Sequence, residues 1–251
     1  MKYTILDNQH AIGPGGKPVY RIQALRDFSN IKAGTLGGFV TRSDNLSQSG
    51  NCWIDDFAIA AEFSRVQGDA VLSGTACLSG FAWIGGKVRM TGSAKMTDYT
   101  SAYDNAYIGG GAWLCEGASV FENGHVETKE QRDFRTMRGL TTVRGNGKLL
   151  DRGAMYDKSL LDGNGILRGN AALRENAKLD GHAVAEKCCS ISGDAWVTQH
   201  ARITDVAKVT GDAVVFGHAV VDGKSYVTCR VWVGGNKHYK SVIIDGNMIL
   251  V

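Results

Sequence analysis

The chain predicts an all-β fold, a parallel β-solenoid of triangular cross-section, and three observations carry that prediction. The first is a six-residue rhythm. Stepping by six from Cys52 to Gly124, and again from Thr141 to Val231, lands on small or β-branched residues throughout. The residue two places further on is apolar in all 29 hexads, from Ile54 and Ala60 to Val227 and Val233. In a chain that is 43% apolar, chance gives that outcome with a probability of roughly 10⁻¹¹. The second observation is glycine, 33 residues in 251, about twice the usual share of ~7%. The third is proline. Only Pro14 and Pro18 occur, both ahead of the repeats, so the repeat backbone keeps its amides for ladder bonds.

Each hexad reads as one short strand and one corner. Side chains two apart on a strand share a face, so the small and the aliphatic residue both point inward, the small one at the crowded corner. The residue between them points out. Gly, Asp and Asn gather just before the small residue, as in Gly68-Asp69-Ala70, Gly193-Asp194-Ala195 and Gly211-Asp212-Ala213. These types tolerate the left-handed backbone that a sharp corner needs. Three hexads close a coil of 18 residues, so the repeats predict 9–10 coils, a prism ~45 Å tall at ~4.8 Å per coil.

The elements follow in order. Residues 1–50 lack the rhythm and hold both prolines; they predict an N-terminal β cap of two or three strands. A first solenoid run spans 51–126. From Gly124 to Thr141 the step is 17 instead of six, so eleven extra residues are expected to leave the prism in an excursion over 127–140. Thr128 and Gln131 have capping-box spacing, which predicts a helical turn within 128–138. The second run spans 141–233. Residues 234–251 are expected to form a C-terminal β cap or tail, with Asp245-Gly246 or Gly246-Asn247 turning a hairpin.

Composition excludes several classes. A net charge of +3 is too small to announce a nucleic-acid binder. No apolar run reaches the ~20 residues of a membrane span. The opening residues lack an apolar core with a cleavage site, so a cytoplasmic location is expected. The six cysteines form no CxxC pair, and no His stands at zinc-finger spacing. Reduced thiols, no metal site and no resident cofactor are expected.

The aliphatic-to-small spacing of four, as from Val197 to Ala201 and Val209 to Ala213, resembles the hexapeptide-repeat family of left-handed parallel β-helices. The resemblance implies a left-handed winding, acyl transfer as the commonest activity, and a homo-oligomer, with a trimer favoured. A narrower likeness lies in Asp27-Phe28-Ser29-Asn30-Ile31-Lys32-Ala33-Gly34-Thr35-Leu36-Gly37-Gly38-Phe39-Val40 and Leu46-Ser47-Gln48-Ser49-Gly50-Asn51-Cys52-Trp53-Ile54. These segments resemble the YdcK-like transferases of enterobacteria, also found around prophages.

Candidate sites follow from the columns. His182, His200 and His218 are 18 apart and stack in one corner column, above Asn146 and Asn164. A column of imidazoles suits a metal, an anion or a general base; the same position also reads as a corner that favours residues tolerant of the left-handed backbone. His125 points outward just before the excursion. By the resemblance, a His at such a place takes the proton of an acyl acceptor, and Lys129, Arg132, Arg135 and Arg138 hold the phosphates of coenzyme A. Without it, these cations read as a solvated face interleaved with Glu127, Glu130 and Asp133. All five tryptophans take outward positions. Trp196, Val214 and Trp232 form one column, an apolar stripe suited to packing on a sister chain or a cap. Trp53, Val71, Arg89, Tyr107 and His125 form a second, mixed column.

The residues themselves favour a non-catalytic binding or scaffold protein that works through aromatic outward faces. The alternatives are a hexapeptide-type acyltransferase with an acyl-coenzyme A donor and His125 as general base, and a sponge for a small phosphate-bearing ligand. Nucleic acid and membrane are not expected as partners.

Overall fold

The computed structural model describes residues 1–129 and 136–251. Its solenoid has three faces, each built from the short strands that the hexads predict. The first face starts at Trp53–Ile54, the second at Ile59–Ala60 and the third at Arg65–Val66. Every strand pairs in parallel with the strand one coil away, usually 18 residues on, as Trp53 with Val71 and Arg65 with Trp83. The first and third faces each contain eleven strands, and the second contains fourteen because the cap joins it. The prism therefore has about eleven turns, more than the repeats alone predicted.

The inward residues form one continuous core. Ala58, Ala70 and Ala76 at corners and Ile54, Leu72 and Leu78 on strands are fully buried. Small residues belong at the corners because two faces meet there at a sharp angle, and larger ones would overfill the layer. The corner backbone turns at positive φ two residues before each small residue: Gly68 at +68°, Asp98 and Asp104 at +60°, Gln199 at +59°. Many of the Asp, Glu and Gln corners share a reason. Asp98 accepts the Glu116 N–H at 3.0 Å, Asp104 that of Glu122 at 3.2 Å, and Gln199 that of Gly217 at 2.9 Å. A side chain at one corner thus satisfies the amide stacked one coil on, which offsets the left-handed strain.

Successive coils set side chains in columns: the rings of Phe81 and Tyr99, and of Tyr103 and Phe121, are parallel to within 1°.

The N-terminal residues form an antiparallel cap. Tyr3–Ile12 pairs with Pro18–Ala24, which pairs with Leu36–Val40, and Leu36–Val40 lies parallel to Ile59–Ala60. Gly37 permits this close approach: a Cβ there would sit 2.6 Å from the Ile54 carbonyl oxygen. Tyr3, Ile22 and Val40 extend the core into the cap.

Two expectations need correction. Residues 234–251 do not turn a hairpin. His238–Lys240, Ile243–Ile244 and Ile249–Leu250 each add a parallel strand to a face, and Gly246 is another corner. The segment keeps the solenoid rhythm with one step shortened to five residues, from Tyr239 to Ile244, which a strict step of six misses. The interruption is also smaller than expected. Ser119 pairs with Thr142, and Asn123 bonds Asn146 at 3.1 Å, both 23 residues apart instead of 18. Only five residues are extra, because Met137–Gly139 is a strand in register with Leu114–Glu116. The solenoid is continuous across the seam. The rest of the predicted helical turn, with Arg132 and Arg135, lies outside the described residues.

Candidate active site

The cap creates a cleft on the first face. The loop after Pro18–Ala24 crosses Trp53, and Phe28 meets that ring edge-on at 5.5 Å. Trp53 is consequently 2% exposed, although it holds an outward position. Between this loop and the face opens a cleft of about 900 Å³, lined by Ser29, Asn30 and Ile31 on the cap side. Asn51, Asp55, Asp56, Asp69, Lys87, Arg89, Asn105 and Tyr107 line the solenoid side. Among the described residues, Lys87 and Arg89 form no ion pair.

Tyr107 lines one end of the cleft, and His125 stands beside it one coil on, outside the lining. Tyr107 and His125 are partners in adjacent strands, and their rings stack at 4.6 Å. His125 Nε2 lies 3.1 Å from Glu127 Oε2. Residues two apart on a strand share a face, so the sequence already places this carboxylate beside the imidazole. Gly109 leaves room for the cluster: a Cβ there would meet the Tyr107 hydroxyl at 2.6 Å. Burial raises the Tyr107 phenol above its ordinary pKa, and the Glu127 carboxylate adds to that.

This arrangement suits proton transfer. A proton on Nε2 donated to Glu127 leaves Nδ1 with its lone pair, the form a general base needs. The His125 side chain is 32% exposed, enough to reach a substrate, while its stack on Tyr107 holds the ring plane.

The other predicted cations are placed differently. Lys129 follows the His125 strand, with its ammonium 3.9 Å from Asp151. Arg138 lies in a second-face strand, and its Nε donates to Glu116 at 2.6 Å. That contact raises the Arg138 pKa further.

The histidine column stands as a stack. His182, His200 and His218 are exposed, with centroids 5.0 and 4.8 Å apart. It continues an amide ladder in which Asn105, Asn123, Asn146 and Asn164 bond one to the next at 3.2, 3.1 and 3.0 Å. The left-handed preference does not explain these histidines. The positive φ belongs to the preceding residues, Gly181, Gln199 and Gly217. Among the described residues no group of three or more His, Cys, Asp or Glu side chains is placed to hold a metal ion.

Trp196, Val214 and Trp232 do share a column on the third face. Trp113 lies on the second face, half-buried with the Lys95 ammonium 5.5 Å from its ring. No helix among the described residues is long and apolar enough to cross a membrane.

Sequence reasoning missed the cleft. It grouped Trp53, Arg89, Tyr107 and His125 in one column, but the covering cap loop leaves no periodic signal. It also passed over Glu127, whose two-residue spacing from His125 was legible.

No family model matches the chain. Over 84 residues it is 34% identical to the Escherichia coli K12 protein named "Uncharacterized acetyltransferase YdcK". The match covers 28% of this chain and 26% of that protein, so the chain spans about a quarter of the relative it resembles. That local likeness, joined to eleven turns of parallel hexad strands, fits the hexapeptide-repeat transferase family.

Proposed function

We propose that this protein transfers an acyl group from an acyl-coenzyme A thioester to a hydroxyl or amine acceptor, with His125 as general base. The observation that carries the reading is the Tyr107–His125–Glu127 cluster, which adjoins the first-face cleft through Tyr107. The name of the similar protein supports acetyl as the group transferred.

In this reading Glu127 orients His125 and stabilises the imidazolium that forms. Nδ1 takes the proton of the acceptor as its oxygen or nitrogen attacks the thioester carbonyl. The carbon–sulfur bond then breaks, and the departing thiolate takes a proton to give free coenzyme A. Lys87 and Arg89 offer two cations to the donor's phosphates, and Lys129 stands on the His125 side. Asp55, Asp56, Asn51 and Asn105 offer hydrogen-bond partners to a polar acceptor.

Lys87 and Arg89, in no ion pair among the described residues, also favour a second reading, the binding of a phosphate-bearing ligand without turnover. A coenzyme A thermal-shift titration tests what both share. Binding at 100 times Kd stabilises by about 2.7 kcal/mol. No shift at millimolar coenzyme A removes the donor site. A shift in wild type with no transfer to any acceptor supports the second reading.

A further inference from the structure

A second hollow lies on the second face. His125 and Met137 belong to one coil, and the pairing ladder runs from Met137 through Met155, Leu173 and Ile191 to Val209, four coils on. At ~4.8 Å per coil the hollow stands ~19 Å further along the prism. The sequence explains its place. Ser190 and Ser192, two apart, share the outward side of one strand, and both are short. In the next two coils Lys208 and Tyr226 continue the Ser190 column. Long side chains beside short ones leave a cavity of about 730 Å³.

Its chemistry is one-sided. Lys208 and Lys224 line it, both exposed, and no carboxylate does. Among the described residues neither lysine forms an ion pair. Their backbones are two strand positions and one coil apart, ~8 Å, so both ammonium groups reach one anion. Beside them lies a floor of hydroxyls. Ser192 Oγ donates to Thr210 Oγ1 at 3.1 Å. The Ser190 and Tyr226 hydroxyls have no hydrogen-bond partner among the described residues. Val206 and Tyr226, 48% and 39% exposed, give the hollow an apolar side.

We infer that this hollow binds a sugar phosphate, at a site independent of the acyl-transfer cleft. Lys208 and Lys224 hold the phosphate through charge-assisted hydrogen bonds. Ser190, Ser192 and Thr210 meet the sugar, because hydroxyls both donate and accept, as the hydroxyls of a sugar do. Val206 and the Tyr226 ring cover its C–H face. Inorganic phosphate leaves the hydroxyl floor unused, and a free sugar leaves the lysines unused, so tight binding needs both halves of the ligand.

Titration calorimetry tests the inference with glucose 6-phosphate and ribose 5-phosphate as probes. Glucose, ribose and inorganic phosphate are the controls. One of the two sugar phosphates is expected to bind at least tenfold more tightly than any control, and less tightly as salt is raised. Lys208→Gln combined with Lys224→Gln is expected to weaken that binding at least tenfold; both positions are exposed, and circular dichroism checks the fold. Ser192→Ala is expected to weaken it while leaving the affinity for inorganic phosphate unchanged. Lys87→Gln combined with Arg89→Gln is expected to leave it unchanged, which separates this site from the cleft. No binding of either sugar phosphate at ~10 mM, inorganic phosphate binding equally well, or a loss that follows Lys87 and Arg89 instead of Lys208 and Lys224 overturns the inference.

Discussion

Gly110→Ala strikes the corner that ends the Tyr107 strand. Gly110 has a φ of +63°, and a Cβ built on it would overlap the Thr128 carbonyl oxygen in the next coil. Two costs follow. An L-residue in the left-handed region loses about 1–2 kcal/mol. The coils must also move apart, which weakens the Gly111 N–H bond to Thr128 at 3.0 Å and the Ser93 N–H bond to Gly110 at 2.8 Å, about 1 kcal/mol each. The sum is roughly 3–4 kcal/mol. At about 2–4 °C per kcal/mol for a chain of this size, Tm falls by roughly 10 °C. Gly15→Ala isolates the first cost, because Gly15 has a φ of +66° but no atom within 4 Å of its Cβ. Melting followed by circular dichroism is expected to put Gly110→Ala well below Gly15→Ala. Equal melting temperatures would refute the claim that coil stacking sets the glycine requirement.

Three further outcomes test separate parts of the structure. Glu186 is held between Arg168 and Arg202; burial alone would raise its pKa, but the two guanidiniums outweigh that and lower it. A lowered folded pKa adds stability above the unfolded value and loses it as pH falls through the folded one. Glu186→Gln is therefore expected to cost ~1–3 kcal/mol at neutral pH, with a gap from wild type that closes on acidification below about pH 4.5; a pH-independent gap in denaturant melts contradicts this. Gly109→Ala is expected to push Tyr107 off His125 and lower transfer with little loss of stability, read as kcat against Tm. Cys188 and Cys229 are exposed, whereas burial pushes Cys77 up to about 11 and Cys189 up to about 12. Native protein is expected to show two fast thiols by maleimide labelling; four or more would contradict the burial.

What was legible in the sequence followed from period. Ala70 and Leu72 declare their inward positions because every coil repeats the same packing problem. His125 above Tyr107 followed from spacing alone, as did Val214 above Trp196. The cap loop over Trp53 was not legible, because Phe28 and Ile31 meet the face once and repeat nothing. The last coil escaped for a related reason: the single five-residue step from Tyr239 to Ile244 still fills the core, but it breaks the step of six. The five extra residues were overcounted because Met137, one step of six before Val143, follows Arg135 where the rhythm asks for a small residue.

The proposed activity rests on His125, and the most direct measurement is free-thiol release from acetyl-coenzyme A across a panel of amine and hydroxyl acceptors. Wild type is expected to release thiol only when an acceptor is present. His125→Ala is expected to lower that rate by 10²–10⁴-fold, the share a general base supplies, while coenzyme A still protects it against melting. Release that survives unchanged in His125→Ala, or no release from wild type with any acceptor, would contradict the proposal.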